Sequence, residues 1–98
     1  MGEVRGASAM ALPRPREAVR AGVLEAIREV APELDPARLV DDRPLRRQVE
    51  LDSMDWLRVI VGWHQRFGVD IPETDYARLH SVEAVVDYLL GRLEAAGR

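Results

Sequence analysis

A serine flanked by acidic residues is the side chain best suited to covalent chemistry in this sequence. It stands in the run Asp52-Ser53-Met54-Asp55, where a helical pattern begins. Asp52 is a good N-cap and Asp55 favours the positive end of the helix dipole, so Ser53 should lie in the first turn. Unpaired backbone N–H groups there favour a negatively charged group such as a phosphate. The run predicts a hydroxyl that could carry a phosphodiester, although an Asp-Ser pair alone also fits an ordinary helix start.

Other side chains capable of catalysis or metal binding are sparse. The chain has two histidines, His64 and His80, and no cysteine. Neither histidine has a paired acid at metal-ligand spacing, so we predict that both are surface residues and that there is no metal site. A hydrolase with Ser53 as nucleophile is disfavoured because no Gly-x-Ser-x-Gly motif or oxyanion loop accompanies the serine.

Helical patterns lie on both sides of Ser53. The first begins at Arg16 and stops at Pro32, and the second runs from Asp52 to Phe67 and stops at Gly68. Its interior Gly62 indicates close packing against a neighbour. The apolar residues of the first helix are Val19, Val23, Ile27 and Val30. Those of the second are Trp56, Ile60, Trp63 and Phe67, with Leu57 and Val61 broadening the stripe.

The remaining segments complete an all-α fold. Residues 74–79 allow one or two helical turns, and Ser81 can cap a last helix that ends near Gly97. We predict a small antiparallel four-helix bundle, with three main helices, one short helix and a long first loop over residues 32–51. A flexible lead over residues 1–14 precedes this domain of residues 15–98. The residues expected to hold the loop down are Leu34, Leu39, Leu45 and Val49. The last helix has the stripe Val82, Val85, Val86, Leu89, Leu90 and Leu93.

The pattern resembles the acyl carrier protein family over residues 16–93. That family has an Asp-Ser-Leu or Asp-Ser-Met triplet at the start of its second helix, then Phe-Gly at the helix end and an Ile-Pro turn. Here Asp52-Ser53-Met54 leads to Phe67-Gly68 and Ile71-Pro72 without a gap. Further matches are Leu45, Val49, Ser81-Val82 and Asp87-Tyr88-Leu89.

The resemblance implies that Ser53 is the attachment point of a 4′-phosphopantetheine arm, transferred from coenzyme A by a phosphopantetheinyl transferase. The terminal thiol of the arm would then hold acyl groups as thioesters in a fatty acid, polyketide or specialised pathway. By this resemblance the chain is not an enzyme, but a substrate and cofactor carrier for acyl-loading and acyl-processing enzymes. Trp56, one turn beyond Ser53, could line the place where an acyl chain rests. The residues expected in the motif and in partner recognition are Asp52, Met54, Asp55, Trp56 and Arg58.

The sequence departs from the family in two places near the serine. Glu50 stands where the family commonly has glycine, so the backbone there need not be left-handed. Many relatives are acidic around the attachment site, whereas this chain is mixed, and its partners should differ accordingly. The arginines that interrupt its acidic residues are Arg46, Arg47, Arg58 and Arg66.

Two other functions remain open on the residues alone: an aminoacyl or peptidyl carrier of a nonribosomal peptide pathway, and an unmodified helical adaptor. The net charge of −3 argues against nucleic-acid binding, including by a helix-turn-helix protein. With 47% hydrophobic and 32% charged residues and no long apolar run, the composition predicts a folded protein that does not enter membranes. We expect a cytoplasmic monomer.

Overall fold

The computed structural model describes residues 15–96, which form helices and the connections between them. The four α-helices are α1 (Pro15–Val30), α2 (Leu45–Gln48), α3 (Ser53–Phe67) and α4 (Val82–Ala96). Two 3-10 helices lie between them, the first over Pro36–Arg38 and the second over Glu73–Arg78. The described residues contain no strand, and the all-α prediction is confirmed. The predicted lead over residues 1–14 and the helix end near Gly97 lie outside the described residues.

The three long helices pack around one apolar core. Helix α1 contacts both α3 and α4. The predicted stripes supply most of the core, because each places apolar side chains on one face of its helix. The predicted bundle of three main helices is therefore confirmed. The buried residues of these helices are Val19, Val23, Leu24, Ala26 and Ile27 of α1, Trp56, Val59, Ile60 and Trp63 of α3, and Val82, Val85, Val86, Tyr88 and Leu89 of α4.

Close contact between α1 and α3 explains the glycine inside α3. A Cβ added to Gly62 would lie 3.3 Å from the Cβ of Ala26, so the two backbones approach closely at this point. Trp63 follows Gly62 in α3, and its indole N–H donates to the carbonyl of Val23 in α1 over 3.1 Å. Trp63 is fully buried, and this bond satisfies its only polar atom.

The connection between α1 and α3 is held against the bundle, as its apolar residues predict. Leu39, Leu45 and Val49 are buried, and Leu34 is partly buried. The N–H of Leu45 donates to the carbonyl of His80 over 2.8 Å, which joins this connection to the one before α4. The connection also contains α2 and the first 3-10 helix, neither of which the sequence patterns predicted.

Polar side chains fix the same connection. The amide of Gln48 accepts from the N–H of Val40 over 2.7 Å and donates to its carbonyl over 2.9 Å. Asp41 binds Arg20 of α1 through two hydrogen bonds of 2.8 and 2.9 Å, and its carbonyl accepts from the N–H of Glu83 over 2.9 Å. These bonds tie the connection to both α1 and α4.

Helix α3 begins and ends where its sequence predicts. The Asp52 side chain accepts from the N–H of Asp55, which makes it the N-cap. Gly68 is the C-cap, with a left-handed backbone at φ 63°, and its N–H donates to the carbonyl of His64 over 2.9 Å. Gly68 is the only residue with positive φ in the described part of the chain.

The prediction that Leu57 and Val61 belong to the core stripe of α3 is wrong. Leu57 is 44% exposed and Val61 is 48% exposed, whereas Val59 is fully buried. The residues of α3 that pack towards α1 are buried. Leu57 and Val61 lie farther round the helix and are only partly covered by other elements.

Phe67 is also less buried than predicted. It lies in the last turn of α3 and is half-buried at the edge of the core. Its ring occupies the space beside Gly22 of α1, where an added Cβ would lie 2.5 Å from the ring. Truncation of a fully buried phenylalanine costs about 3 to 5 kcal/mol, so Phe67→Ala should cost less than this.

The short helix predicted near residues 74–79 is present as the second 3-10 helix, which contacts α4. The Tyr88 hydroxyl donates to Asp75 over 2.6 Å, and the Tyr88 ring lies 4.8 Å from the guanidinium of Arg78. Burial of the ring is the largest cause that raises the pKa of Tyr88, and the hydrogen bond to Asp75 is the second. Helix α4 begins as predicted, since the Ser81 hydroxyl accepts from the N–H of Ala84 over 3.1 Å.

Candidate functional site

Ser53 is the first residue of α3 and its side chain is exposed. Asp52 precedes it in extended conformation and caps the helix, so the serine stands at a sharp change of direction between the connection and the helix. This arrangement presents the hydroxyl to solvent on a fixed backbone.

The backbone around Ser53 suits a bound anion. Asp52 takes the N–H of Asp55 at 2.7 Å, and its carbonyl accepts from the N–H of Trp56 at 2.9 Å. The N–H groups of Ser53 and Met54 have no carbonyl partner within the helix, because they belong to its first turn. Together with the dipole of a 15-residue helix, they favour a phosphodiester on the serine oxygen.

The predicted recognition residues around the serine differ in how exposed their side chains are. Asp52, Met54 and Arg58 are exposed, Asp55 is half-buried, and Trp56 is 9% exposed. Met54 is 67% exposed, the largest value among the exposed apolar side chains of the described chain. The structure therefore brings all five close to Ser53 along the first two turns of α3, but Trp56 faces inward.

Three of the four predicted arginines belong to this surface. Arg46 lies over the ring of Trp56, with its guanidinium carbon 5.7 Å from the ring centroid. Arg47 and Arg58 are exposed. The fourth, Arg66, binds Glu25 at 3.0 Å and also Glu29, both on α1. Arg66 is occupied in holding two helices together.

Trp56, which follows Ser53 by one helical turn, forms one wall of a surface cleft of about 240 Å³. We call it the Trp56 cleft. Its main lining residues are Pro44, Arg46, Trp56, Tyr76, Leu79 and His80. Trp56 therefore lies in the wall of a mainly apolar depression, and its role beside an acyl group stays a prediction. Sequence patterns alone could not locate the depression, because its far wall comes from the second 3-10 helix.

An exposed apolar row continues from the site along α3. Met54, Leu57 and Val61 recur at spacings of three and four residues, which places them on one side of the helix. Leu57 and Val61 were predicted to lie in the core, so this row was not expected. A helical wheel places them at a different angle from Trp56 and Trp63, but it does not show which side has a partner.

The histidines and Glu50 have no unusual surroundings. Both histidines are exposed, as predicted, and Nδ1 of His64 lies 2.7 Å from the carbonyl of Val69. Glu50 has no left-handed backbone. Over residues 15–96 no group of three or more acidic or histidine side chains could hold a metal ion. Within the same range no helix has the length and apolarity needed to cross a bilayer.

Comparisons with known proteins identify the family to which this chain belongs. The model of the phosphopantetheine attachment site matches residues 21–89, which include α1 from its second turn, the site and most of α4. A protein named meromycolate extension acyl carrier protein, from Mycobacterium tuberculosis, is 30% identical over 78 residues, covering 80% of this chain and 67% of that protein. An acyl carrier protein of Myxococcus xanthus is 28% identical over 76 residues, or 78% of this chain and 95% of the relative.

A third relative is longer than this chain. A protein named mitochondrial acyl carrier protein, from Neurospora crassa, is 30% identical over 61 residues, which are 62% of this chain and 46% of that protein. The shared part therefore spans less than half of the Neurospora protein. All three relatives carry the same type of name, and the family match covers residues 21–89, which include Ser53 and all of α3. The chain therefore belongs to the acyl carrier protein family, whose cofactor is a covalently attached 4′-phosphopantetheine.

Proposed function

We propose that Ser53 bears the 4′-phosphopantetheine arm and that this protein carries acyl groups as thioesters in a fatty acid, polyketide or related specialised pathway. The observation that carries the proposal is the exposed hydroxyl at the capped start of α3, inside the matched attachment region. Three features fit the arm: the backbone N–H groups of the first turn that have no partner within the helix, the helix dipole, and the guanidinium of Arg46, which lies over the ring of Trp56 one turn along α3 from Ser53.

The protein acts in this proposal as a substrate for other enzymes. The bound arm supplies the reactive sulfur, and the chain contributes a fixed attachment point and a surface for partners. Exposed Met54, Leu57 and Val61 form an apolar row beside Arg58, and we assign this side of α3 to contacts with acyl-loading and acyl-processing enzymes. That the carrier is a cytoplasmic monomer stays a prediction.

The test is modification followed by mass measurement. Purified protein is incubated with coenzyme A and a broad-specificity phosphopantetheinyl transferase, and its intact mass should increase by one phosphopantetheine. Ser53→Ala should abolish the increase and keep the helical circular dichroism spectrum. Thr74→Ala, which removes an exposed hydroxyl elsewhere, should be modified like the wild type.

Two outcomes would contradict the proposal. A wild-type mass that does not change while a control carrier is converted would favour the unmodified adaptor. Modification that persists in Ser53→Ala would place the arm on another residue. If Ser53 is modified, competition between acyl and aminoacyl donors in a loading assay separates an acyl carrier from an aminoacyl or peptidyl carrier.

A further inference from the structure

The side chain of Gln48 is hydrogen-bonded to the main chain of a short stretch of the connection between α1 and α3. Its Oε1 accepts from the N–H of Val40 over 2.7 Å, and its Nε2 donates to the Val40 carbonyl over 2.9 Å. Nε2 also donates to the carbonyl of Arg43 over 3.0 Å. One amide group thus pairs with both main-chain groups of Val40, as a neighbouring strand would do.

These bonds close residues 40–48 into a loop, and the beginning of this loop is fixed to the bundle. Asp41 binds Arg20 of α1, and the Asp41 carbonyl accepts from the N–H of Glu83 of α4. The beginning of the loop therefore cannot move relative to α1 and α4 without breaking these bonds. Gln48 is the last residue of α2, so its amide ties α2 to this fixed point.

Helix α2 needs such a support because it is a single turn. It has four residues, and so short a helix is not stable in water by itself. Leu45 and Val49 are buried, and at a spacing of four residues they lie on the same side of the turn. Gln48 adds a contact on another side. Contacts on two sides fix the rotation of α2 about its own axis.

The rotation of α2 determines the direction of two consecutive arginines. Arg46 and Arg47 are both exposed. The guanidinium carbon of Arg46 lies 5.7 Å from the centroid of the Trp56 ring, and Trp56 is one turn along α3 from Ser53. A turned α2 would take Arg46 away from this ring and from the start of α3.

We propose that Gln48 is a positioning residue for partner selection, which fixes α2 so that Arg46 and Arg47 present two charges in defined places beside the start of α3. Fixed charges discriminate well between partners, because binding need not first order their side chains. Gln48 is half-buried and its bonds are exposed, so water can replace it in a variant and the bundle should stay folded. The inference rests on the proposed attachment at Ser53.

Loading of the holo protein by a malonyl transferase of general fatty acid synthesis is the kinetic test. The α2 arginines should repel an enzyme whose docking surface is basic, so Gln48→Ala should raise kcat/KM about threefold through a lower KM. A defect of folding alone would slow loading instead. In an Arg46→Gln/Arg47→Gln background, Gln48→Ala should have no further effect. Gln65→Ala, which removes an exposed glutamine near the other end of α3, is the matched control and should load like the wild type.

Tryptophan fluorescence follows the position of Arg46 without any enzyme. The emission spectrum of Gln48→Ala should shift to that of Arg46→Gln, because in both variants the guanidinium has left the Trp56 ring. Gln48→Glu should do the same at neutral pH, since a carboxylate can accept from the Val40 N–H but cannot donate to a carbonyl. Should Gln48→Ala fail to fold by circular dichroism, Gln48→Glu replaces it in both experiments.

The outcomes separate the two proposals. A mass that never increases by the arm contradicts the function proposed for Ser53, and is seen before any loading experiment. With the arm attached, slower or unchanged loading of Gln48→Ala would overturn the positioning role, as would an equal gain in the Arg46→Gln/Arg47→Gln background. An unchanged emission spectrum would show that Arg46 keeps its place without Gln48. Loss of the fold in both Gln48 variants would give Gln48 a structural role only.

Discussion

At the residue scale, two arginines on the same helix have different roles. Arg66 binds Glu25 and Glu29 of α1, and its side chain is 29% exposed. Arg58 is exposed near Ser53. The sequence alone does not distinguish the two arginines, because their spacing in the helix allows both to be surface charges. The contacts of Arg66 remove it from the partner-facing set and make it part of the α1–α3 packing.

The pair Arg20–Asp41 gives a pH-dependent prediction. The hydrogen bonds from Arg20, aided by its charge, lower the pKa of Asp41 despite opposing burial. Because the folded pKa lies below the unfolded value, the pair stabilises the fold above about pH 4 and this contribution is lost as the pH falls through the folded pKa. Both side chains are 40% exposed, so solvent screening should limit the contribution to about 0.2–1 kcal/mol.

A double-mutant cycle measures this contribution. Urea unfolding of the wild type, Arg20→Gln, Asp41→Asn and the double variant gives the coupling free energy at each pH. We expect the coupling at neutral pH to diminish steadily in increasingly acidic buffer. A coupling that is unchanged or larger in acid would contradict the assignment.

At the element scale, two helix-interior glycines make a matched pair. Gly62 of α3 faces Ala26, with only 3.3 Å for an added Cβ, whereas nothing lies within 4 Å of a Cβ added to Gly91 of α4. Gly91→Ala should raise the free energy of unfolding by roughly 0.5–1 kcal/mol, because alanine favours a helix. Gly62→Ala should give less or become destabilising, since α1 and α3 must separate slightly.

Urea unfolding of both variants provides the comparison. Helical content by circular dichroism serves as the control, because both substitutions should leave it unchanged. If Gly62→Ala stabilises the protein as much as Gly91→Ala does, the helices are not in tight contact at Gly62.

The elements also show what the sequence could predict. Helix ends depend on local signals, and Asp52, Gly68 and Ser81 were placed correctly for that reason. Which side of a helix is buried depends on neighbours distant in sequence. Leu57 and Val61 were misplaced because α3 has apolar residues on more than one side, and periodicity does not indicate which side has a partner.

The candidate site, too, was predictable from the sequence only where it depends on local signals. Ser53 and its flanking residues form a continuous run, so they were identified from the sequence. The Trp56 cleft was not, because its walls come from α2, α3 and the second 3-10 helix.

At the scale of the whole molecule, charge is distributed unevenly. The chain has a net charge of −3, but α3 contains two arginines and one aspartate. Exposed Arg47 and Arg58 flank the acidic start of the helix. Opposite charges steer association and like charges penalise wrong partners, so this surface should favour enzymes with a mixed or partly acidic patch.

Loading by a malonyl transferase of general fatty acid synthesis tests this selectivity. The holo protein should be a poor substrate, and Arg47→Glu/Arg58→Glu should raise kcat/KM by about tenfold. Arg28→Glu, a charge reversal at an exposed position of α1, is the control and should have little effect. Efficient loading of both wild type and double variant alike would show that the arginines do not determine specificity.

Asp52 holds the backbone in place at the proposed attachment point of the arm. Its carboxylate and its carbonyl hold the N–H groups of Asp55 and Trp56, so the turn that contains Ser53 is closed by one residue from two directions. With the arm on Ser53, movement of the cargo starts at the rotatable bonds of the serine side chain, and the backbone stays still. The cargo then moves within a volume centred on one point of the protein surface, and the length of the arm sets the radius of that volume.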